Sequence, residues 1–101
     1  MEKIGKIITK VLDTTEGKCA DVFAYAKNPT GEEVTLGYEL CGNNEKFMMC
    51  YGRISPEDPG DVPSKTFENS NEALGSEYGG LFAEMAAVAK KALDKRTKEV
   101  T

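Results

Sequence analysis

Apolar and polar side chains alternate along much of residues 19–54, and two turn signals divide that stretch into three segments. The first signal is Asn28-Pro29-Thr30-Gly31, in which proline suits the φ of about −65° of a type I turn and glycine suits a left-handed residue after it. If Gly31 forms a bulge, Asn28 pairs with Glu32 and the paired residue numbers add up to 60. That register sets the apolar residues on one face: Val22, Ala24 and Ala26 opposite Tyr38, Leu36 and Val34. A plain four-residue loop would oppose Ala26 to Glu33, so the bulged register is favoured.

The second turn signal is Gly42-Asn43-Asn44-Glu45, because asparagine tolerates the left-handed conformation better than most residues. With a two-residue loop, the paired residue numbers add up to 87, and the large apolar side chains again share one face. The predicted pairs are Leu40 with Phe47, Tyr38 with Met49 and Leu36 with Tyr51. Residues 19–54 are therefore predicted to form a three-stranded antiparallel meander with Glu32–Cys41 as its central strand.

The N-terminal segment fits two structures. Its apolar residues are spaced as on one side of an amphipathic helix: Ile4, Ile7, Ile8, Val11 and Leu12. The segment is also rich in β-branched residues and contains Gly5, both of which are poor in helices. A hairpin closed by Thr14-Thr15-Glu16-Gly17 would make it the first strand, with apolar residues on both faces. We favour the strand, with the helix as the alternative.

The C-terminal segment predicts a helix. Residues 81–98 contain no glycine or proline, and Leu81, Met85, Val88 and Leu93 form an apolar stripe. The 101 residues suffice for one modest core, so we expect a single domain. Its parts are an N-terminal segment plus meander over 1–54, an acidic loop with proline and glycine over 55–80, and the helix over 81–98. The expected fold class is α+β, an antiparallel β-meander of three or four strands with the C-terminal α-helix packed on one face.

The excess negative charge is concentrated in one stretch. Residues 55–84 hold seven acidic side chains and one basic one, a net charge of −6, whereas residues 1–54 carry −1 and residues 85–101 carry +3. The total of −4 argues against nucleic-acid binding, which depends on clustered lysine and arginine. The stretch is either a solvated connector or an acidic surface for a basic partner protein. The candidate partner-binding residues in it are Glu57, Asp58, Asp61 and Glu68.

The residue inventory argues against most catalytic and metal sites. The chain has no histidine, which removes the commonest general base and a usual zinc ligand. Glu57, Asp58 and Asp61 do not match a calcium loop, because Pro59 occupies a ligand position. We therefore predict no catalytic residue, no metal and no cofactor, and expect that the protein is not an enzyme.

Cysteine usage and hydropathy bear on location. The three cysteines, Cys19, Cys41 and Cys50, are an odd number without C-x-x-C spacing, and the first residues lack the apolar core of a signal peptide. These features favour reduced thiols and a cytoplasmic location. No apolar run approaches the roughly 20 residues of a membrane helix, so no membrane contact is expected.

The second face of the meander is the other candidate binding surface. The two registers place four side chains there: Phe23, Tyr25, Met48 and Cys50. Gly37 and Gly52 on the same face would leave a shallow groove beside the aromatic rings, and one helix covers only one face of such a sheet. The leading hypothesis is a small acidic protein-binding module, an inhibitor, immunity-type protein or adaptor of a basic partner. The alternatives are a homodimer joined through this face, or a small ligand-binding or hydrolytic protein that uses carboxylates or Cys50.

Overall fold

The structure, a computed structural model, describes residues 2–15, 17–53 and 65–100, and in these ranges the chain forms one antiparallel sheet of five strands and two helices. The strands lie side by side in chain order: β1 (Glu2–Thr14), β2 (Gly17–Lys27), β3 (Glu33–Cys41), β4 (Asn44–Tyr51) and β5 (Lys65–Phe67). The helices α1 (Ser70–Leu74) and α2 (Gly79–Val100) follow. The expected α+β meander with a C-terminal helix packed on it is confirmed, with one more strand than the predicted upper number.

The first hairpin has the predicted bulged register. The Asn28 amide donates to the Glu32 carbonyl at 2.9 Å, and the Gly31 amide donates to the Asn28 carbonyl at 2.9 Å. Gly31 takes a φ of +89°, the left-handed region that glycine enters without steric cost. The Asn28 side-chain oxygen accepts from the amides of Thr30 and Glu32, which fixes the turn locally. Every β2–β3 pair therefore follows the predicted sum of 60.

The second hairpin departs from the predicted register by two residues. Its turn is Gly42-Asn43, with Cys41 paired to Asn44, so the paired numbers add up to 85 and the predicted 87 is wrong. Gly42 has a φ of +62° and Asn43 has no positive φ, which is the pattern of a type II′ turn with glycine in the first central position. The pairs become Tyr38 with Phe47, Leu36 with Met49 and Val34 with Tyr51. A shift of two leaves the faces unchanged, because side chains alternate with a period of two.

The N-terminal segment is a strand. It pairs antiparallel with β2, from Glu2 opposite Lys27 to Thr14 opposite Gly17, and forms one edge of the described sheet. A bulge interrupts the register between Ile4 and Ile8, and Gly5 takes a φ of +73° there. Because β1 is an edge strand, its apolar side chains are half-buried or exposed rather than buried on both faces.

The core lies between the sheet and α2. The buried hydrophobic residues of α2 lie on one side of the helix: Leu81, Phe82, Met85 and Ala89. The Phe82 ring meets the rings of Phe47 and Phe67 edge-on, with centroids 5.3 Å and 5.4 Å away. Tyr51 was predicted to share the face of the large apolar side chains, but it is 58% exposed at the end of β4. No helix in the described ranges is both long enough and apolar enough to cross a membrane.

Two short elements lie within the stretch interpreted as an acidic loop. β5 extends the sheet by pairing with residues 47–49 of β4. Asn69 caps α1, since its side-chain oxygen accepts the Glu72 amide at 2.9 Å. Phe67 of β5 and Ala73 of α1 join the core, so both elements are tied to the helix-covered side of the sheet.

Cys19 and Cys41 are joined by a disulfide. They face each other across β2 and β3, and both are buried, at 2% and 8% exposure. The expectation of reduced thiols is therefore wrong for this pair, and Cys50 is the free cysteine. The predicted cytoplasmic location consequently loses the support of the cysteine count.

Candidate functional site

The side of the sheet turned away from α2, called the open face below, carries a second set of side chains. Because strand side chains alternate, each neighbour of a core residue along a strand points this way. Within the described residues, no helix packs on the open face, since α1 and α2 join the core on the other side. The open face comprises Ile4, Ile8, Lys10, Leu12, Cys19, Asp21, Phe23, Tyr25, Thr35, Gly37, Glu39, Cys41, Lys46, Met48, Cys50 and Thr66.

The four side chains predicted for the second sheet face all lie on the open face, and all four are half-buried. They occupy two adjacent rows across β2, β3 and β4, Phe23–Gly37–Met48 and Tyr25–Thr35–Cys50. The predicted sums of 60 and 87 would have put Cys50 in the row of Phe23 and Gly52 in the row of Tyr25, and both placements are wrong because the second hairpin is shifted by two residues. The two rings and the Met48 thioether nevertheless form one continuous apolar patch.

The predicted glycine groove is absent from the described face. A β-carbon at Gly37 would meet Met48 Cε at 3.6 Å, so the Met48 side chain already lies over this glycine. Gly52 has left the strand, with a φ of +83° and an amide that donates to the Glu33 carbonyl at 2.8 Å. Met48 therefore occupies the space beside Gly37, and Gly52 does not belong to the rows of the open face.

β1 adds apolar side chains that the sequence interpretation did not include. Ile4 lies opposite Tyr25 and Ile8 lies opposite Phe23. Leu12 lies opposite Cys19 and is 44% exposed. The signal that could have found these residues is their even spacing, which puts all three on one face of a strand. They widen the apolar patch from three strands to four.

One end of the open face carries the positively charged side chain of Arg53. Arg53 lies over the Tyr25 ring, with the guanidinium carbon 5.9 Å from the ring centroid. The same side chain donates to both carboxylate oxygens of Glu33, at 2.8 Å and 3.2 Å. This bidentate pair is exposed, so its main effect is to orient the Arg53 side chain rather than to stabilise the fold.

A row of charged residues crosses the other part of the open face: Lys10, Asp21, Glu39 and Lys46. Lys46 pairs with Glu39 at 3.8 Å, but Asp21 and Glu39 are like charges placed directly opposite each other. Asp21 Oδ1 is buried and has no hydrogen-bond partner among the described residues. Burial, and secondarily the hydrogen bond and repulsion from Glu39, raise the pKa of Asp21 to about 6, against an opposing effect of Lys10.

Of the four acidic candidates, the structure describes only Glu68. Glu57, Asp58 and Asp61 lie outside the residues that the structure describes. Glu68 is exposed and lies between β5 and α1, where its amide donates to the Glu72 carboxylate at 3.1 Å. It follows the last residue of β5, so it is not part of the rows across the sheet.

The size of the open face suits a modest protein interface. Four strands spaced about 4.8 Å apart and about eight residues long cover roughly 500 Å² in projection. Stable interfaces bury about 800 Å² per partner, whereas transient ones bury less than about 600 Å². The aromatic rings and methionine are of the types enriched in interface centres, and the charged row at one side resembles a polar rim.

Comparisons of the chain with protein-family models, with curated proteins and with solved structures gave no match. The open face must therefore be interpreted from its own chemistry. Its chemistry is that of apolar contact bounded by oriented charges, which is suited to recognition of another macromolecular surface.

Proposed function

We propose that this protein is a non-enzymatic, acidic protein-binding module that acts as an inhibitor, immunity-type protein or adaptor of a basic partner. The observation that carries the proposal is the apolar patch of Phe23, Tyr25 and Met48, which no element in the described ranges covers. Apolar surface of this kind on a small domain marks an interaction site more often than a solvated surface.

The charge distribution supports a basic partner. The chain carries a net charge of −4, and residues 55–84 alone carry −6. Such a field attracts a positively charged protein and speeds the encounter, while the apolar patch determines how long the complex lasts. Binding should therefore weaken as salt is added, because screening shortens the range of the attraction to about 8 Å at physiological ionic strength.

The test is affinity capture with the immobilised protein at low ionic strength, repeated with Asp58, Asp61 and Glu68 changed to lysine. We expect a basic protein that is retained by the wild type, is released as salt is added, and is lost with the charge-reversed variant. Capture that ignores both the salt and the charge reversal would contradict the electrostatic part of the proposal. No capture of any protein at low salt would contradict the proposal as a whole.

A homodimer joined through the open face is the second candidate, because the same uncovered patch could meet a second copy. Sedimentation of the wild type and of Phe23→Asp over a range of concentrations separates the two. A wild type whose mass rises with concentration, beside a monomeric variant, would favour the homodimer. A monomer in both cases leaves the partner-binding proposal and removes the dimer.

A further inference from the structure

A cleft of about 420 Å³ lies between the second hairpin turn and the C-terminal half of α2. It is on the helix-covered side of the sheet, away from the open face. The residues that line it include Leu40, Glu45, Lys90, Leu93 and Asp94. The volume falls within the range of roughly 300–1,000 Å³ that small-ligand pockets occupy.

The floor of the cleft is apolar. Leu40 is 5% exposed, and Leu93 is partly buried against the core. Leu40 pairs across the strands with Glu45, so the carboxylate rises directly beside the apolar floor. Lys90, Leu93 and Asp94 are three and four residues apart, which puts them on the same side of α2. The cleft thus combines an apolar floor with charged walls.

Glu45 is held in its position by a buried phenol. The Tyr38 hydroxyl donates to Glu45 Oε2 at 2.6 Å, and Tyr38 is 1% exposed. Burial, followed by the bond to Glu45, raises the pKa of the Tyr38 hydroxyl far above its usual range. The phenol therefore stays a neutral donor, and the carboxylate wall is oriented before any ligand arrives.

α2 contributes two charged side chains to the cleft, Lys90 and Asp94. Among the described residues, the side chains of Lys90 and Asp94 enter no ion pair and no hydrogen bond. Lysine four residues before aspartate is the weaker order for a pair on a helix, so the two do not neutralise each other well. With Glu45, the walls carry two carboxylates and one ammonium, an excess of one negative charge.

We propose that this cleft binds an ammonium or guanidinium group carried on a short aliphatic stem. The cation lies between Glu45 and Asp94, and the stem lies against Leu40 and Leu93. The inference goes beyond the proposed function, since the cleft lies on the other side of the sheet and requires no protein partner. The same chemistry is supplied by a free amine or by a lysine or arginine side chain of a peptide.

The test is a titration of the ¹⁵N-labelled protein with n-butylammonium chloride, followed by the amide signals of Asn43 and Leu93. We expect saturable shifts with a millimolar dissociation constant, as befits a ligand of few atoms. Glu45→Gln and Asp94→Asn should each weaken binding about fivefold, the upper range for one exposed ion pair. Glu77→Gln, an exposed carboxylate near the other end of α2, is the matched control and should change nothing.

Butanol has the same stem without the charge, so an equal response to butanol would overturn the proposal. The proposal also fails if no shift saturates, or if the two cleft variants bind as the wild type does.

If n-butylammonium binds as expected, titrations with putrescine and N-acetyl-lysine amide identify the source of the cation. Tighter binding of putrescine assigns the cleft to a free amine, and tighter binding of the lysine amide assigns it to a protein side chain.

Discussion

Asp21 has an unfavourable environment in the middle of the sheet. The charged groups that face it are Lys10 on β1 and Glu39 on β3, one attractive and one repulsive. A buried oxygen without a donor adds to the cost of ionising this side chain. Asp21 therefore lowers the folding stability of the protein, as residues of binding surfaces often do.

Asp21→Asn should stabilise the protein near neutral pH. The pKa of Asp21 is raised from 3.8 to about 6, so the folded state gains stability when this group is protonated and loses that gain as pH rises through 6. Asparagine removes the ionisation cost, and we expect about 1 kcal/mol more unfolding free energy at about pH 7.5 after allowing for solvent screening. The gain should shrink as pH falls from 6 towards 4.

Urea denaturation of both proteins across this pH range checks the prediction. Asp13→Asn, which removes an exposed carboxylate from β1, is the control for the loss of one negative charge. A gain that is independent of pH, or that the control reproduces, would show that Asp21 is not the group responsible.

At the scale of elements, the junction between α1 and α2 depends on one glycine. A β-carbon on Gly79 would overlap the Leu74 carbonyl oxygen, so the two helices approach each other through this residue. The Ser76 hydroxyl supports the same junction, since it donates to the Ala73 carbonyl at 2.6 Å and accepts the Tyr78 amide at 3.2 Å. Gly80, the next residue in α2, has open space where a β-carbon would be.

The adjacent glycines should therefore respond to alanine in opposite directions. Gly79→Ala should destabilise the protein by about 1–3 kcal/mol, because the overlap is with backbone that cannot turn aside. Gly80→Ala should stabilise it by up to about 1 kcal/mol, because alanine favours the helix more than glycine does. Chemical denaturation of the two variants measures both, and equal signs would contradict the described junction.

The elements also show what sequence patterns can predict. The first hairpin was predictable because Pro29 and Gly31 specify one turn geometry, whereas Gly42 serves either as a turn residue or as its flank. β5 has only three residues, too few to show alternation, and it is held by contacts distant in sequence. The disulfide was implicit in the first register, which already paired Cys19 with Cys41. The odd number of cysteines suggested the opposite, because a count carries no information on position.

Part of the candidate site was predictable, because side chains alternate between the two faces of a strand. Phe23, Tyr25, Met48 and Cys50 share a face in either register, since a shift of two preserves the faces. The contribution of β1 was not predicted, because its apolar residues also fit a helix and because the bulge between Ile4 and Ile8 shifts its register against β2. The cleft at the end of α2 depends on how far the helix extends past the hairpin, which no local pattern specifies.

At the scale of the whole molecule, one helix layer meets a sheet that has two apolar faces. α2 and the short elements before it bury one face, and no helix of the described residues packs on the other. We propose that the open face is a binding surface and that the acidic charge of the chain guides a basic partner towards it.

The most direct measurement compares the affinity of the captured basic partner for Met48→Asp and for Ala87→Asp. Both variants add one negative charge, but Met48 lies in the patch and Ala87 is exposed on α2. We expect Met48→Asp to weaken binding at least about tenfold, since a charge buried without a partner costs more than 1.4 kcal/mol. Ala87→Asp should leave the affinity unchanged. Equal affinities of both variants and the wild type would contradict the assignment of the open face as the binding surface.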